Sequence, residues 1–301
     1  MKVVVAGATG FLGRPLVHTL LAEGHDVVVL SRKQRSGNPP VRTVEWTPDG
    51  TPGPWATEID GADAVVNLAG EPIAAQRWTT LQKRRIRDSR VLATRSIVEA
   101  FGQAARRPPV LVSGSAVGYY GPLDNEIVTE EQPAGTDFLA EVADLWETEA
   151  ARAAGERTRV VCVRTGIVLE RDGGALPKML PPFWFGAGGP LGAGKQYWPW
   201  IHRKDWIGLV RFALTTDSVR GPLNATAPNP VTNAEFARTL GKVIRRPALL
   251  PTPAFALKLI LGEMADALLL SGQRAVPLKA CQLGFRFSFE TLDDALRAIF
   301  H

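Results

Sequence analysis

Thirteen residues at the start of the chain constrain its fold more than any other stretch. Lys2-Val3-Val4-Val5-Ala6 is an apolar, β-branched run that stops at Gly7-Ala8-Thr9-Gly10-Phe11-Leu12-Gly13, after which Leu16, Val17, Leu20 and Leu21 recur at helical spacing. This reads as a buried strand, a tight turn and an amphipathic helix. A phosphate group is held by backbone N–H groups at a helix N-terminus, and glycines let it come close because no Cβ stands in the way. Gly7 and Gly10 suit the turn and the close approach, while Gly13 lets the helix pack against its strand. Thr9, Phe11 and Leu12 lie in the same turn and complete this candidate pyrophosphate site. A glycine-rich turn with no ligand is the plain alternative. Position argues against it: the helix ends at Gly24, and a second valine-rich strand begins at once, over residues 27–30.

Strand and helix continue to alternate. Residues 41–46 alternate polar and apolar side chains as a short strand does, after a Gly- and Pro-rich loop at 37–40. Ala64-Val65-Val66-Asn67-Leu68-Ala69-Gly70 is a buried strand with a small-residue tip suited to facing a ligand. Helical patterns follow over 79–105 and 138–154, with strands at 110–112 and 160–163. The expected fold class is therefore α/β, a Rossmann-type doubly wound parallel sheet. Beyond about residue 166 the rhythm breaks into short segments punctuated by glycines, with Trp184, Trp198, Trp200 and Trp206 close together. A smaller C-terminal substrate-binding domain over residues 171–301 is expected, with 1–170 forming the nucleotide-binding domain and 205–232 returning to it. Thr232-Asn233-Ala234-Glu235 is a capping box opening a helix, 285–289 alternates as a strand, and 292–300 closes the chain as a helix.

With 35 Lys and Arg against 30 Asp and Glu, the excess of five positive charges is too small for a nucleic-acid binder unless it is focused. The one dense run, Lys83-Arg84-Arg85-Ile86-Arg87, fits a solvated or cofactor-facing helix, so no nucleic-acid partner is expected. Only Cys162 and Cys281 are present, which excludes a disulfide framework and fits a reducing, cytoplasmic setting. The apolar stretch 255–270 is interrupted by Lys258, Gly262, Glu263 and Asp266, so it reads as a buried or amphipathic helix and no membrane span is expected. No metal-ligand spacing is visible.

In folds of this kind a carboxylate at the end of the second strand takes the ribose 2′-hydroxyl of NAD. Here Ser31-Arg32-Lys33 stands there, and Asp26 is at the strand's other end. Two cations at that place suit the 2′-phosphate of NADP, so NADP(H) is the expected cofactor.

Taken with Ser113-Gly114-Ser115, Arg77-Trp78, Ser89-Arg90, Tyr119-Tyr120-Gly121, Gly188-Gly189-Pro190-Leu191-Gly192 and Trp198-Pro199-Trp200-Ile201-His202, the chain resembles the extended, atypical short-chain dehydrogenase/reductase superfamily. Within it, the chain is similar to the epimerase-like family named for nucleoside-diphosphate-sugar epimerases, which has an extra C-terminal segment. The resemblance implies an NADP(H)-binding Rossmann domain with Ser31 and Arg32 at the 2′-phosphate and Leu68 and Ala69 along the adenosine side. It also implies that Arg90 reaches the cofactor and Val168 lies near the nicotinamide; Gly70 and Ser113, at their strand tips, join the cofactor set.

One departure bears on chemistry. These enzymes pair a catalytic Tyr with a Lys four residues later, the Lys lowering the Tyr pKa. The three tyrosines here are followed at that spacing by Leu123, Asp124 and Ile201, and the helix that should carry the pair reads Phe138-Leu139-Ala140-Glu141-Val142-Ala143. Ser115, Tyr120 and His202 are the candidate substitutes, each with a plain structural alternative: turn capping, packing and anchoring of the next helix. The expected function is an oxidoreductase or epimerase acting on a small polar, sugar-like substrate. The alternative is a non-catalytic NADP(H)-binding sensor or regulator.

Overall fold

The computed structural model describes residues 1–33 and 41–301, so the 37–40 loop lies outside the described residues. The first half runs β1 (Lys2–Ala6), α1 (Gly13–Ala22), β2 (Asp26–Ser31), β3 (Arg42–Glu45), β4 (Ala64–Asn67), α2 (Thr80–Gln103), β5 (Val110–Ala116), β6 (Ile127–Val128), α3 (Phe138–Ala151) and β7 (Arg159–Thr165). Then come β8 (Ile167–Leu169), α4 (Leu176–Trp184), β9 (Tyr197–Trp198), β10 (Trp200–His202), α5 (Arg203–Thr215) and β11 (Gly221–Ala225). The chain closes with β12 (Val231–Thr232), α6 (Asn233–Val243), α7 (Ala254–Leu261), α8 (Glu263–Ala265), β13 (Arg274–Ala275), α9 (Leu278–Gln282) and α10 (Leu292–Phe300).

Seven strands form one sheet in the order β3-β2-β1-β4-β5-β7-β11. Every pairing in it is parallel. This is the doubly wound Rossmann arrangement, and the strand order reverses between β1 and β4. Valine runs without alternation make sense here because both faces are covered. Val3 and Val5 pack with Leu16, Val17 and Leu20 of α1 and Leu209, Val210 and Ala213 of α5. Val4 and Ala6 pack on the opposite face with Ala93, Ile97 and Phe101 of α2. A separate apolar cluster joins α4, β9, β10, α6 and α10 through Leu180, Phe183, Trp198, Trp200, Phe236, Leu240 and Leu296.

Local signals place the helix starts. The Thr232 hydroxyl accepts from the Glu235 N–H while Glu235 accepts from the Thr232 N–H, the reciprocal capping box that opens α6. Two stretches differ from their sequence pattern. Residues 285–289 alternate but form no strand, because the buried Asp205 carboxylate takes their backbone N–H groups: Ser288 donates to Oδ1 at 2.8 Å and Phe289 to Oδ2 at 2.9 Å. The apolar stretch 255–270 is not one buried helix. Gly262, at φ +63°, ends α7, and a π-helical turn, Asp266–Leu270, follows α8. Helix α7 buries none of its residues and leaves Phe255 74% exposed. In the basic run, Arg84 and Arg87 both meet Asp88, and Lys83 pairs with Glu263. Among the described residues no helix is long and apolar enough to cross a membrane.

Candidate cofactor and substrate site

The tip of β1 is built from backbone. Gly7 has φ +79°, and a Cβ on it would stand 2.5 Å from the Leu68 carbonyl carbon, so the turn can pass the tip of β4 only as glycine. A Cβ on Gly13 would lie 2.3 Å from the Gly7 carbonyl oxygen, which is why α1 can start so close to its strand. Gly10 is different: a Cβ there would meet only the Gly7 oxygen, at 3.4 Å, and both Thr9 and Gly10 are exposed. Two of the glycines serve the chain's own close contacts and the middle one leaves the approach open. Helix α1 has no side-chain cap, whereas α2, α3, α5, α6 and α10 start on Thr79, Asp137, His202, Thr232 and Thr291. The Arg14 N–H goes to the Gly10 carbonyl and Pro15 has none, so the N–H groups left for an anion are those of Phe11, Leu12 and Gly13. Leu12 packs against the core on the α1 face, and the Phe11 ring lies against Gly173 and Gly174 with the Arg203 guanidinium 5.2 Å from its centre.

Ser31 closes β2, its hydroxyl donating to the Lys33 carbonyl at 2.9 Å, and Arg32 and Lys33 are exposed beyond it. At the tip of β4 the Asn67 side chain ties the turn to α2. Its amide donates to Thr94 Oγ1 at 2.9 Å and its oxygen accepts from the Ala69 N–H at 3.2 Å. Leu68 is half-buried against the α1 face. Gly70 faces the Arg90 guanidinium, where a Cβ would come within 3.2 Å of Cζ. Arg90 is a buried cation on α2 that donates to the Ile86 carbonyl at 2.9 Å and lies 5.3 Å from the Trp146 ring centre. Arg90 forms no ion pair among the described residues; burial pulls its pKa down to about 10, with the Glu71 charge opposing that pull. A buried cation with no direct ion pair is costly, and an anionic ligand would offset part of that cost.

Of the proton-donor candidates, Ser115 and Tyr120 meet in one network through Glu147 and Arg164, whereas His202 is held separately. Ser115 donates to Glu147 Oε1 at 2.6 Å, and Arg164 grips the same carboxylate through Nε and Nη2, both at 2.8 Å. Arg164 Nη1 donates to the Tyr120 oxygen at 3.0 Å, and Tyr120 gives its own proton to Asn224 Oδ1 at 2.6 Å. Burial pushes the Tyr120 phenol up to about 12, so it stays protonated and committed to this network. His202 caps α5: its Nδ1 accepts from the Lys204 N–H at 3.0 Å, and its ring lies 4.1 Å from that of Phe289. Burial pushes its pKa down, favouring the neutral acceptor form. Ser113 is fully buried, and Val168 belongs to the core cluster on the α1 face.

A cavity of about 220 Å³ lies between the end of β5, α3, the β7–β8 turn, β9 and residues 267–273. None of Ser115, Tyr120 and His202 lines it. Helix α3 gives it Leu139, Val142, Ala143 and Trp146, one face at helical spacing, so this face offers no Tyr or Lys. Arg90, Thr165, Tyr197, Trp198 and Gln273 supply its polar groups. Trp146 and Trp198 bury indole N–H groups that meet no acceptor. Reading the sequence for familiar spacings passes over Trp146, Tyr197 and Gln273; only the shared helical face of Leu139, Val142 and Trp146 signals the first of them.

Comparison with known proteins agrees with this architecture. The pattern of the NAD dependent epimerase/dehydratase family matches residues 3–225, and a domain of unknown function, DUF1731, matches residues 252–299. The chain is 44% identical over 303 residues to an Arabidopsis thaliana protein described as a chloroplastic epimerase family homologue, covering 99% of this chain and 86% of that one. It is 39% identical over 298 residues to the epimerase family protein YfhF of Bacillus subtilis, covering 98% and 97%. The crystal structure of the human epimerase family protein SDR39U1 with NADPH superposes with a TM-score of 0.91 at 37% identity, covering 99% of each chain. On this agreement of sequence and fold, the chain belongs to the NAD dependent epimerase/dehydratase family.

Proposed function

We propose that the chain binds NADP(H) across the tips of β1, β2 and β4 and acts as an oxidoreductase or epimerase on a small polar substrate held in the cavity beside α3. The observation that carries this is the start of α1: an uncapped helix N-terminus behind a left-handed Gly7 and an open Gly10, at the point where the strand order reverses. Ser31 and Arg32 stand where a 2′-phosphate belongs, and Arg90 offers a buried positive charge towards the β4 tip. The human relative crystallised with NADPH supports the same choice of cofactor. When bound, NADP(H) supplies or accepts hydride. The chain's own part is to orient the substrate, keep water out with the apolar face of α3 and handle one proton. Of the three candidates, Ser115 is nearest to the cavity along the chain, one residue before Ala116 of its wall, although its hydroxyl is held by Glu147 and the hydroxyls that line the cavity are those of Thr165, Tyr197 and Ser271.

The test is a panel of carbonyl compounds and sugar nucleotides scored for NADPH oxidation, followed by Ser115→Ala on the best substrate. Turnover is expected to fall about a hundredfold or more, as loss of a positioned proton donor does, with NADPH affinity unchanged. The apolar face of α3 favours one other reading, a non-catalytic NADP(H) sensor. Tight NADPH binding that changes the protein's shape, with no turnover on any member of the panel, would select it.

A further inference from the structure

The five most exposed large apolar side chains among the described residues sit on two segments that run side by side. Phe185, just past α4, is 86% exposed, and Leu249, Phe255, Leu259 and Ile260, in α7 or shortly before it, are 82%, 74%, 76% and 69% exposed. The Leu250 N–H donates to the Gly188 carbonyl at 3.1 Å and the Thr252 N–H to the Pro190 carbonyl at 2.8 Å, which lays the approach to α7 against the stretch after α4. Within α7, Phe255 and Leu259 are four residues apart and share a face. Charge is sorted on the same segments. Residues 173–204 and 236–262 contain no Asp or Glu, and the second stretch holds Arg238, Lys242, Arg245, Arg246 and Lys258, as many cations as the whole chain has in excess. Lys242 and Lys258 meet Asp293 and Asp266 from outside these segments. Arg245 and Arg246 are exposed and form no ion pair among the described residues. Arg245 and Arg171 share a hollow with Trp184, the residue before Phe185, so cations border the apolar surface.

Apolar side chains left this far in water mark a surface that something covers. A second copy of the chain across a two-fold axis would set the same patch against itself, bringing Arg245 and Arg246 towards their own counterparts with no carboxylate in either segment to meet them. Nucleic acid would use the cations and leave the apolar side chains wet. A bilayer with acidic headgroups takes both: its acyl boundary accepts projecting side chains without matching sockets, and its phosphates take the arginines. We propose that this face seats the protein on an anionic membrane surface, with Phe185, Leu249, Phe255, Leu259 and Ile260 at the acyl boundary and Arg245 and Arg246 among the lipid phosphates. The chain lies on the membrane and does not cross it with a helix, since among the described residues none is long and apolar enough to do so. Membrane seating needs neither the cofactor nor the cavity beside α3.

The test is co-sedimentation of the full chain with vesicles of phosphatidylcholine alone and of phosphatidylcholine mixed with phosphatidylglycerol, beside ultracentrifugation without vesicles. Partitioning onto the mixed vesicles is expected to be at least about tenfold stronger than onto the neutral ones, and the gain should shrink as salt is raised. The double variant Arg245→Gln with Arg246→Gln should lose about fivefold in partitioning per cation. Phe255→Ser with Leu259→Ser should lose about tenfold or more per side chain. Both variants alter exposed side chains, so each should melt with the parent and bind NADPH as the parent does. If the serine variant nonetheless unfolds, the arginine variant decides. Equal partitioning onto both kinds of vesicle, none onto either, or folded variants that partition as the parent does each overturns the proposal. A parent that is dimeric without vesicles, and becomes monomeric in the serine variant, overturns it as well and gives the face to a second copy.

Discussion

At the tip of β1 the candidate site is made of backbone, and the side chains that matter are those that are missing: Gly7 and Gly13 leave room for the chain itself, and Gly10 leaves room for a ligand. The cavity beside α3 is made of side chains, carried by α2, α3, β9 and the segment after α8, and its character comes from the indoles and aliphatic groups that fill the wall. The contrast teaches where each kind of change is tolerated. At Gly7 and Gly13 the backbone site admits almost no substitution, because a Cβ there collides with backbone atoms that cannot move aside. A side-chain cavity can exchange its chemistry on an unchanged frame, which explains how the α3 face can lack Tyr and Lys while the Rossmann sheet persists.

The comparison can be broken most severely at Gly13. Gly13→Val should destabilise the protein by about 3 kcal/mol, the upper end of usual overpacking costs, and abolish NADPH binding. Thermal melting and calorimetry with an unaltered outcome would remove the backbone account. Tyr120→Phe comes next. It takes a donor from Asn224 and an acceptor from Arg164, so a loss of about 2 kcal/mol is expected in denaturant unfolding, with NADPH affinity intact. A variant of parental stability but lost turnover would return Tyr120 to the reacting centre. Arg32→Glu should weaken NADPH at least tenfold, about 1.4 kcal/mol, while NADH binds nearly as before; equal losses for both would place Arg32 away from the 2′-phosphate.

The smallest effect is expected at His202. Burial holds its folded pKa below the unfolded value of about 6.5, so the unfolded chain takes up the proton first as pH falls. Its contribution to stability is complete above about pH 6.5 and declines as pH drops from there towards the lower folded pKa. His202→Asn keeps a capping oxygen and has no proton to bind, so it should flatten the stability–pH curve in that window and leave its alkaline side unchanged. An identical acid slope in parent and variant would show that other groups set it.

The parts legible in the sequence are those governed by neighbours a few residues away. The valine runs, the glycine turn, the Thr232 capping box and the missing Tyr and Lys all act locally, and the structure keeps the first three at or near their expected bounds. The alternation of 285–289 was misleading because Asp205, far away in the chain, supplies the acceptors that a neighbouring strand would otherwise give. Residues 255–270 misled in another way: apolar composition shows that a face wants cover, and it is silent on whether this chain supplies it.

By itself, then, the sequence determined a parallel sheet with a glycine turn at the start of α1, because strand burial, helix periodicity and glycine's lack of a Cβ are properties of short segments. Only the tertiary structure decided that Tyr120 and His202 are spent on buried hydrogen bonds, that Arg90 is a buried cation with Glu71 acting on it, and that Trp146 and Trp198 bury indole N–H groups that meet no acceptor. Those facts depend on which distant groups share a low-dielectric space, and no spacing along the chain encodes that.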